Sequence, residues 1–363
     1  MMILIYIIAS VYIAIFLFEL ILIGRFRVTQ FSHSVEPADW PKATLLVCAR
    51  NEEHNLPRCI ESLIALDYPK DKLLILIGDD NSEDATWSVI EQFQSSHPYI
   101  KGVKIQHEQE GLIAKGNVLN QLIDCSTDEY QVIIDADMEV TNHWLKSMIL
   151  GLQESAMVSG YTQIAQGGRY SHLQFFDWRI VLHTMKAMAD TFRPISILGN
   201  NMGFRKSAYD QVGGFRALGP TDVEDLGLLQ RFQKAGLKTS QLVVSKGMAY
   251  TQPQQTFSEM ITQRCRWMNG VFTHHWVLGI PALFARLWIV FAIVAYFFHP
   301  GLCAGIVLYG WLINLFKYLQ VGMKTKTGLK TILLEPFFIS LLDTFALLRI
   351  IFKGKVSWKG RRY

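Results

Sequence analysis

The sequence predicts an α/β domain with a mainly parallel sheet, bounded on both sides by helices that cross or lie on a membrane. Three observations lead there. Half of the 363 residues are hydrophobic, more than a soluble domain of this size requires. Met2 to Phe18 is an unbroken apolar run, which Leu20 to Ile23 prolong after Glu19. Between Pro41 and Thr251, short apolar runs alternate with amphipathic stretches, the pattern of strands alternating with helices.

The first run can cross about 30 Å of hydrocarbon, so residues 1–24 are expected to form a transmembrane helix. A signal peptide fits less well, because no basic stretch precedes the run and no Ala-x-Ala-like site follows it. Arg25 and Arg27 come directly after it, and the positive-inside bias then places Phe26 onward in the cytosol. Beyond Thr251 the chain turns apolar again at Pro281 to Phe298, Gly301 to Phe316 and Thr331 to Phe352. His299-Pro300 and the basic linker Lys317 to Lys330 separate these segments. The first two suit a hairpin of spans. Glu335 and Asp343 interrupt the third, whose flanks are basic, so it fits an interfacial or re-entrant helix as well as a span, with the interfacial reading preferred. The expected layout is a helix at 1–24, a cytosolic domain at 41–275, membrane and interfacial helices at 281–352 and a basic cytosolic tail at 353–363.

Composition narrows the partners. The net charge is +4, but the tail alone holds Lys353, Lys355, Lys359, Arg361 and Arg362. A basic tail beside an apolar segment suits anionic lipid headgroups, and nucleic acid is not expected. Cys48, Cys59, Cys125, Cys265 and Cys303 show no CxxC spacing, which argues against a thiolate metal site or a disulfide framework. His274 and His275 have no third ligand at suitable spacing and read as structural or interfacial.

Strands are expected at Ala43 to Cys48, Lys72 to Ile77, Val103 to Gln106 and Gln131 to Ile134. Helices are expected near Leu56 to Leu66, Ala85 to Gln94, Lys115 to Asp124 and Asn142 to Gln153. In such sheets ligands bind beyond the carboxyl ends of the strands, so polar residues directly after a strand are the candidates. Asp135-Ala136-Asp137 follows one strand, and two carboxylates there suit a hard cation that completes its shell with phosphate oxygens. A solvated turn is the alternative for that triplet. Asp79-Asp80-Asn81-Ser82-Glu83-Asp84 follows another strand and is also able to cap the next helix. The first strand ends in Ala49-Arg50-Asn51-Glu52-Glu53, without the Gly-x-Gly-x-x-Gly of a dinucleotide-binding oxidoreductase.

These elements, in this order, resemble the family-2 glycosyltransferases of GT-A fold, over nearly the whole chain. The resemblance implies that Asn51 and Glu52 form the first nucleotide-contacting turn, that Asp79 and Asp80 address the base, and that Asp135 and Asp137 hold Mg²⁺ or Mn²⁺. Ala114 to Asn120 is similar to the Lys-Ala-Gly-x-x-Asn segment whose lysine, here Lys115, faces the donor phosphates; Asn117 stands where that segment has a small residue. Val223-Glu224-Asp225 resembles the Thr-Glu-Asp motif, with Asp225 as catalytic base beside Glu224. Gln263-Arg264-Cys265-Arg266-Trp267 matches Gln-x-x-Arg-Trp, the most specific signal in the chain. On a helix Gln263, Arg266 and Trp267 share one face while Arg264 points elsewhere, although Arg264 is counted with Gln263 and Arg266 among the donor contacts. Trp267 offers an aromatic face to the acceptor, or else anchors the helix at the membrane interface. Gly199-Asn200-Asn201-Met202 resembles the segment lining the acceptor side, where Gly199 and Asn200 would meet the acceptor, with a simple turn as the alternative.

Transfer from a nucleoside diphosphate sugar needs a base for the acceptor hydroxyl and positive charge beside the leaving diphosphate. The resemblance therefore implies an inverting, metal-dependent transferase of the bacterial plasma membrane, using a UDP-sugar and a lipid or membrane-linked acceptor. A processive polysaccharide synthase and a catalytically inactive nucleotide-sugar-binding subunit are the alternatives. An oligomer is compatible with all three.

Overall fold

The structure is a computed structural model that describes residues 2–31, 39–105, 107–109, 111–221, 223–321, 329–353, 357–358 and 361–362. It divides into two compact units, one of residues 27–163 and 188–252, the other of residues 1–26, 164–187 and 253–363. Residues 164–187 and 253–275, which the sequence reading assigned to the cytosolic domain, thus group with the terminal helices.

The first unit is the α/β domain. It opens with β1 (Ala43–Ala49), α2 (Leu56–Ile64), β2 (Leu73–Asp79), α3 (Thr86–Ser96) and β3 (Ile100–Lys104), after a helix α1 (Met2–Arg25) that belongs to the other unit. There follow α4 (Ala114–Asp124), β4 (Tyr130–Asp135), β5 (Met138–Val140), α5 (Trp144–Glu154), β6 (Met157–Ser159) and β7 (Thr162–Ile164). After α6 (Ser171–Thr191) come β8 (Asn201–Arg205), α7 (Lys206–Gln211), α8 (Glu224–Lys234), β9 (Thr239–Gln241) and β10 (Ala249–Thr251). The main sheet has the order β3-β2-β1-β4-β8-β6-β9, and β5, β10 and β7 form a second, three-stranded sheet. β1 is parallel to β2 and β4, while β8 is antiparallel to β4 and β6. The expected elements are present, with ends shifted by a few residues; the strand expected at Val103 to Gln106 runs from Ile100 to Lys104, and Gln106 lies outside the described residues.

Helix cover on both faces explains why β1 reads as a continuous apolar run rather than an alternating one. α2 begins with proline in its first turn and buries Leu56, Cys59, Ile60 and Leu63, a spacing of three and four that makes one face. α4 lies close on β2 because residue 78 is glycine: a Cβ there would come within 2.6 Å of Val118 Cγ1. That contact carries the start of α4, and Lys115 with it, to the carboxyl edge of the sheet.

The second unit gathers α1, most of α6, α9 (Phe257–Arg286), α10 (Trp288–Phe298), α11 (Pro300–Val321) and α12 (Leu329–Lys353). Among the described residues, Ile3–Arg25 and Pro300–Gln320 are long and apolar enough to cross a membrane. Pro281 to Phe298, expected as one span, is broken at Leu287, and its two helical pieces meet at 70°. α9 starts with a capping box, Glu259 N–H donating to Thr256 Oγ1 (3.2 Å) and Thr256 N–H to Glu259 Oε2 (3.0 Å). α1 is tied to α11 through Glu19, which pairs with Lys317 and accepts from Tyr309 Oη at 2.9 Å.

Arg264 and Arg286, both on α9, bind the same two carboxylates, Asp177 of α6 and Asp343 of α12. A straight helix would separate their Cα atoms by roughly 33 Å, far beyond the reach of two arginine side chains. α9 therefore changes direction between them, and Pro281, which lacks a backbone N–H, lies in that stretch.

Candidate active site

The carboxyl ends of β1, β2 and β4 lie level, Ala49 opposite Asp79 and Cys48 opposite Asp135. The turn after β1 and the loop after β2 are laced together. Asn51 N–H donates to Ser82 Oγ (3.0 Å), and Glu83 N–H donates back to Asn51 Oδ1 (2.9 Å). Glu52 N–H donates to Thr86 Oγ1 at 2.8 Å, and Asn55 Nδ2 donates to Glu52 Oε2 at the same distance. Asn51 and Asn81 both adopt positive φ, 53° and 54°, a conformation asparagine tolerates better than most residues. Of the acidic pair expected to address a base, Asp79 is buried and accepts from Ser82 N–H (3.1 Å), whereas Asp80 faces Arg50 at 3.5 Å. Asn51, Glu52 and Asp79 thus tie the two loops together through their own hydrogen bonds.

The second group lies at the end of β4. Asp135 pairs with Lys115, whose Nζ also donates to Gly199 O at 2.8 Å. Gly199 N–H donates to Asp225 Oδ2 at 2.8 Å, and Asp225 Oδ1 accepts from Leu226 N–H at 2.7 Å. Asp225 and Glu224 occupy the first turn of α8, the end of a helix that favours negative charge. Burial raises the Glu224 carboxyl to about 7, and the Asp225 charge adds to this while Lys115 opposes it. Asp225 is also raised, by burial first, against the N–H of Leu226 and the charge of Lys115. Burial alone would lower Lys115, but Asp135 and Glu224 reverse that and hold it charged. The Cys48 thiol is pushed up by burial, and the charges of Lys115, Asp135, Glu224 and Asp80 also act on it, Lys115 lowering it and the carboxylates raising it. Cys59 is likewise pushed up by burial, then by Asp137 and Asp135.

Sequence reasoning brought Lys115, Asp135, Gly199, Glu224 and Asp225 forward separately, and the structure joins them in one hydrogen-bonded and electrostatic group. Asn117 proves to be a latch: its Oδ1 accepts from Gln109 N–H (2.9 Å) and its Nδ2 donates to His107 O (3.1 Å), holding the segment before α4. Ser159 was missed, and Asn201, matched as part of the segment after Gly199, was given no role of its own. Ser159 Oγ accepts from Leu198 N–H at 3.1 Å, and the fully buried Asn201 joins Trp144 Nε1 and Thr162 Oγ1, each at 3.0 Å. Nothing in local spacing marks Ser159. Among the described residues no set of three or more His, Cys, Asp or Glu side chains is arranged to hold a metal ion. Asp135 and Asp137 alone suit a magnesium-type ion that takes its remaining ligands from phosphate and water. Asp222, which reads from the sequence as a solvated helix-start residue rather than a second base, lies outside the described residues, as do the side chains of His274 and His275.

The Gln-x-x-Arg-Trp helix belongs to the other unit. Arg264, expected among the donor contacts, is instead engaged by Asp177 and by Asp343 Oδ1 (3.2 Å), and its guanidinium lies 5.0 Å from the Trp267 ring centroid. Trp267 also packs on Trp178 at 5.0 Å. Burial alone would raise the Asp177 carboxyl, but Arg264 and Arg286 lower it to about 2.

A sheet with this order, with charged side chains gathered beyond the carboxyl ends of its parallel strands, is an α/β domain of GT-A type. The model of glycosyl transferase family 21 matches residues 1–363, and the chain belongs to that family. It is 26% identical over 269 residues to a probable glycosyltransferase, YdaM, of Bacillus subtilis, covering 71% of this chain and 62% of the relative. It is 25% identical over 246 residues to a beta-monoglucosyldiacylglycerol synthase of Synechocystis, covering 65% and 49%. The chain thus spans less than two thirds of these relatives' lengths. A solved structure of similar fold is the mannosyltransferase PcManGT from Pyrobaculum calidifontis in complex with GDP-Man and Mn²⁺ (TM-score 0.58, 15% identity, 95% of this chain and 99% of that one). The expected GT-A fold and family-2-like character agree with these likenesses.

Proposed function

We propose that this chain is an inverting glycosyltransferase that moves one sugar from a UDP-linked donor to a lipid acceptor at the cytosolic face of the bacterial plasma membrane. The observation that carries this reading is the convergence of Asp135, Lys115, Glu224 and Asp225 at one sheet edge, through the Gly199 backbone. Two apolar helices long enough to span a bilayer and a lipid-glucosylating relative support the acceptor class.

Asp225 is assigned as the base that takes the acceptor proton, with both oxygens already oriented by backbone N–H groups. Lys115 is assigned to the donor diphosphate, where its fixed positive charge offsets the negative charge that grows as the sugar leaves. Asp135 and Asp137 would hold Mg²⁺ or Mn²⁺, which when bound supplies further positive charge to the departing diphosphate. Asn51, Glu52, Asp79 and Asp80 shape the nucleotide end of the site. On the family motif, Gln263 and Arg266 are assigned to the donor and Trp267, with Asn200, to the acceptor. Arg264, whose guanidinium is already engaged by two carboxylates, is given no donor role.

The test is to incubate membranes containing the protein with a panel of labelled nucleotide sugars and lipid extracts, and to separate the products by mass. One glycolipid carrying a single added sugar is expected, abolished by Asp225→Asn with donor binding retained. A polymer would favour the processive reading. Unchanged turnover in Asp225→Asn would refute the assignment of the base.

A further inference from the structure

We infer that Gly199 is a positioning residue that links the lysine assigned to the donor to the carboxylate assigned as base, so that residue 199 must lack a side chain. This rests on the function proposed above and deepens it. Its two backbone polar groups face two different charges. Its carbonyl accepts from Lys115 Nζ and its N–H donates to Asp225 Oδ2, each at 2.8 Å.

The turn around it is pinned at every residue. Leu198 N–H donates to Ser159 Oγ (3.1 Å), Asp135 N–H donates to Asn200 O (3.3 Å), and Asn201 N–H closes on Leu198 O (3.0 Å). Residue 199 therefore has little freedom to retreat. It is not among the residues of positive φ, so the requirement for glycine is steric. A Cβ would stand 2.6 Å from Asp225 Oδ2, 3.0 Å from its Cγ and 3.1 Å from its Cβ. An aspartate whose own Cβ is that close cannot swing clear by rotation, and the turn is held on both sides, so it is the Asp225 carboxylate that must leave the Gly199 N–H. The group assigned as base thus shifts by a substantial part of an ångström, while Lys115 and the turns after β1 and β2 keep their places. The structure thus separates turnover from donor binding at this one residue.

The experiment compares the full-length wild type, Gly199→Ala, Asp225→Asn and the double variant in lipid nanodiscs. UDP-glucose with Mn²⁺ is titrated calorimetrically for affinity and site number, and turnover is measured with the same donor and diacylglycerol-containing vesicles. Gly199→Ala is expected to bind the donor within about twofold of the wild type and at full site number, with turnover per site reduced on the order of 100-fold. Adding Gly199→Ala to Asp225→Asn is expected to lower the residual turnover, read in long incubations, no further. A purely structural defect would instead reduce the site number and would add to the loss from Asp225→Asn. Affinity that falls together with turnover, additive losses, or a Gly199→Ala enzyme with wild-type turnover overturns the inference. A wild type that leaves the donor unconsumed, or an Asp225→Asn variant that turns over normally, refutes the underlying function instead.

Discussion

Asp177→Asn should destabilise the helical unit by about 3 kcal/mol. The four-ion ring sets that magnitude. Asp177 bridges Arg264 and Arg286 (2.7 Å to the latter), and Asp343 bridges the same two guanidiniums, so each ion has two partners of opposite sign and the ring is neutral. Asp177 and Asp343 are almost wholly buried, at 4% and 0% exposure. The lowering of Asp177 from 3.8 to about 2 corresponds to roughly 2 kcal/mol in favour of its charged form. Removing one member of a buried pair also strands its partners, which brings the expected loss to about 3–5 kcal/mol, less what the asparagine amide recovers by accepting from one arginine. The sign follows from the depressed value. Asp177 contributes its stability above the unfolded value near 3.8, and the contribution is lost as pH falls through about 2. Thermal unfolding of wild type and variant in nanodiscs should therefore show a constant deficit from pH 5 to 8. Combining Asp177→Asn with Arg264→Gln should cost less than the sum of the two single losses, because both remove parts of one ring. A deficit below about 0.5 kcal/mol, the scale of an ordinary surface substitution, or strict additivity would refute a cooperative ring.

Three further outcomes follow from the structure. Glu224, raised from 4.5 to about 7 by burial and Asp225, favours the folded state while protonated, and that contribution is lost as pH rises through 7; Glu224→Gln should match the wild type near pH 4.5 and exceed its stability at pH 8, by up to about 3 kcal/mol, in thermal unfolding without added metal. Asn117→Ala should cost about 1–3 kcal/mol locally by stranding Gln109 N–H and His107 O, visible as faster amide exchange around residues 107–109 with little change in the sheet. Glu19→Gln should loosen α1 from α11 by about 2 kcal/mol, and Lys317→Met should restore part of it, because the uncompensated ammonium is then gone; a neutral Glu19→Gln would show the pair to be ornamental to the helix packing.

The strands and the positions of most helices were legible because burial on both faces leaves continuous apolar runs, as in β1 and β4, and because turn residues punctuate them. The carboxylates were legible for a related reason: a parallel sheet sends whatever follows its strands to one edge, so Asp79, Asp80, Asp135 and Asp137 could be grouped without coordinates. What the residues do there was less legible. Asn51, Glu52 and Asp79 look like ligands in one dimension; the structure adds that their own hydrogen bonds run to Ser82, Glu83, Thr86 and Asn55 and lace the two loops together. Gly199 looked like part of an acceptor lining; that it touches both Lys115 and Asp225 depends on contacts with partners 84 and 26 residues away.

The Gln-Arg-Cys-Arg-Trp segment shows why such a motif cannot be read as a list of ligands. Successive helical residues turn by about 100°, so Arg264 and Arg266 point in widely different directions, and only a carboxylate elsewhere in the chain decides what either one meets. For Arg264 those carboxylates are Asp177 and Asp343. One signal was present in the sequence: an aspartate inside the apolar run of α12 is costly unless paired, which makes Asp343 a demand for a buried cation that the chain had to supply. The arginine two places ahead of Arg266 meets that demand, and the Arg264 guanidinium in turn leans on the Trp267 ring, which Trp178 supports from α6 next to Asp177. Adjacent α6 residues thus hold two arginines, Arg264 and Arg286, by charge and one tryptophan by ring contact. A change at Trp178 should accordingly act on Trp267 without altering any ion of the ring: Trp178→Leu is expected to shift the indole emission attributable to Trp267, identified by its loss in Trp267→Phe, while the stability deficit of Asp177→Asn persists in full. If Trp178→Leu abolished that deficit, charge and ring contacts would form a single element and the separation of roles within the motif would be wrong.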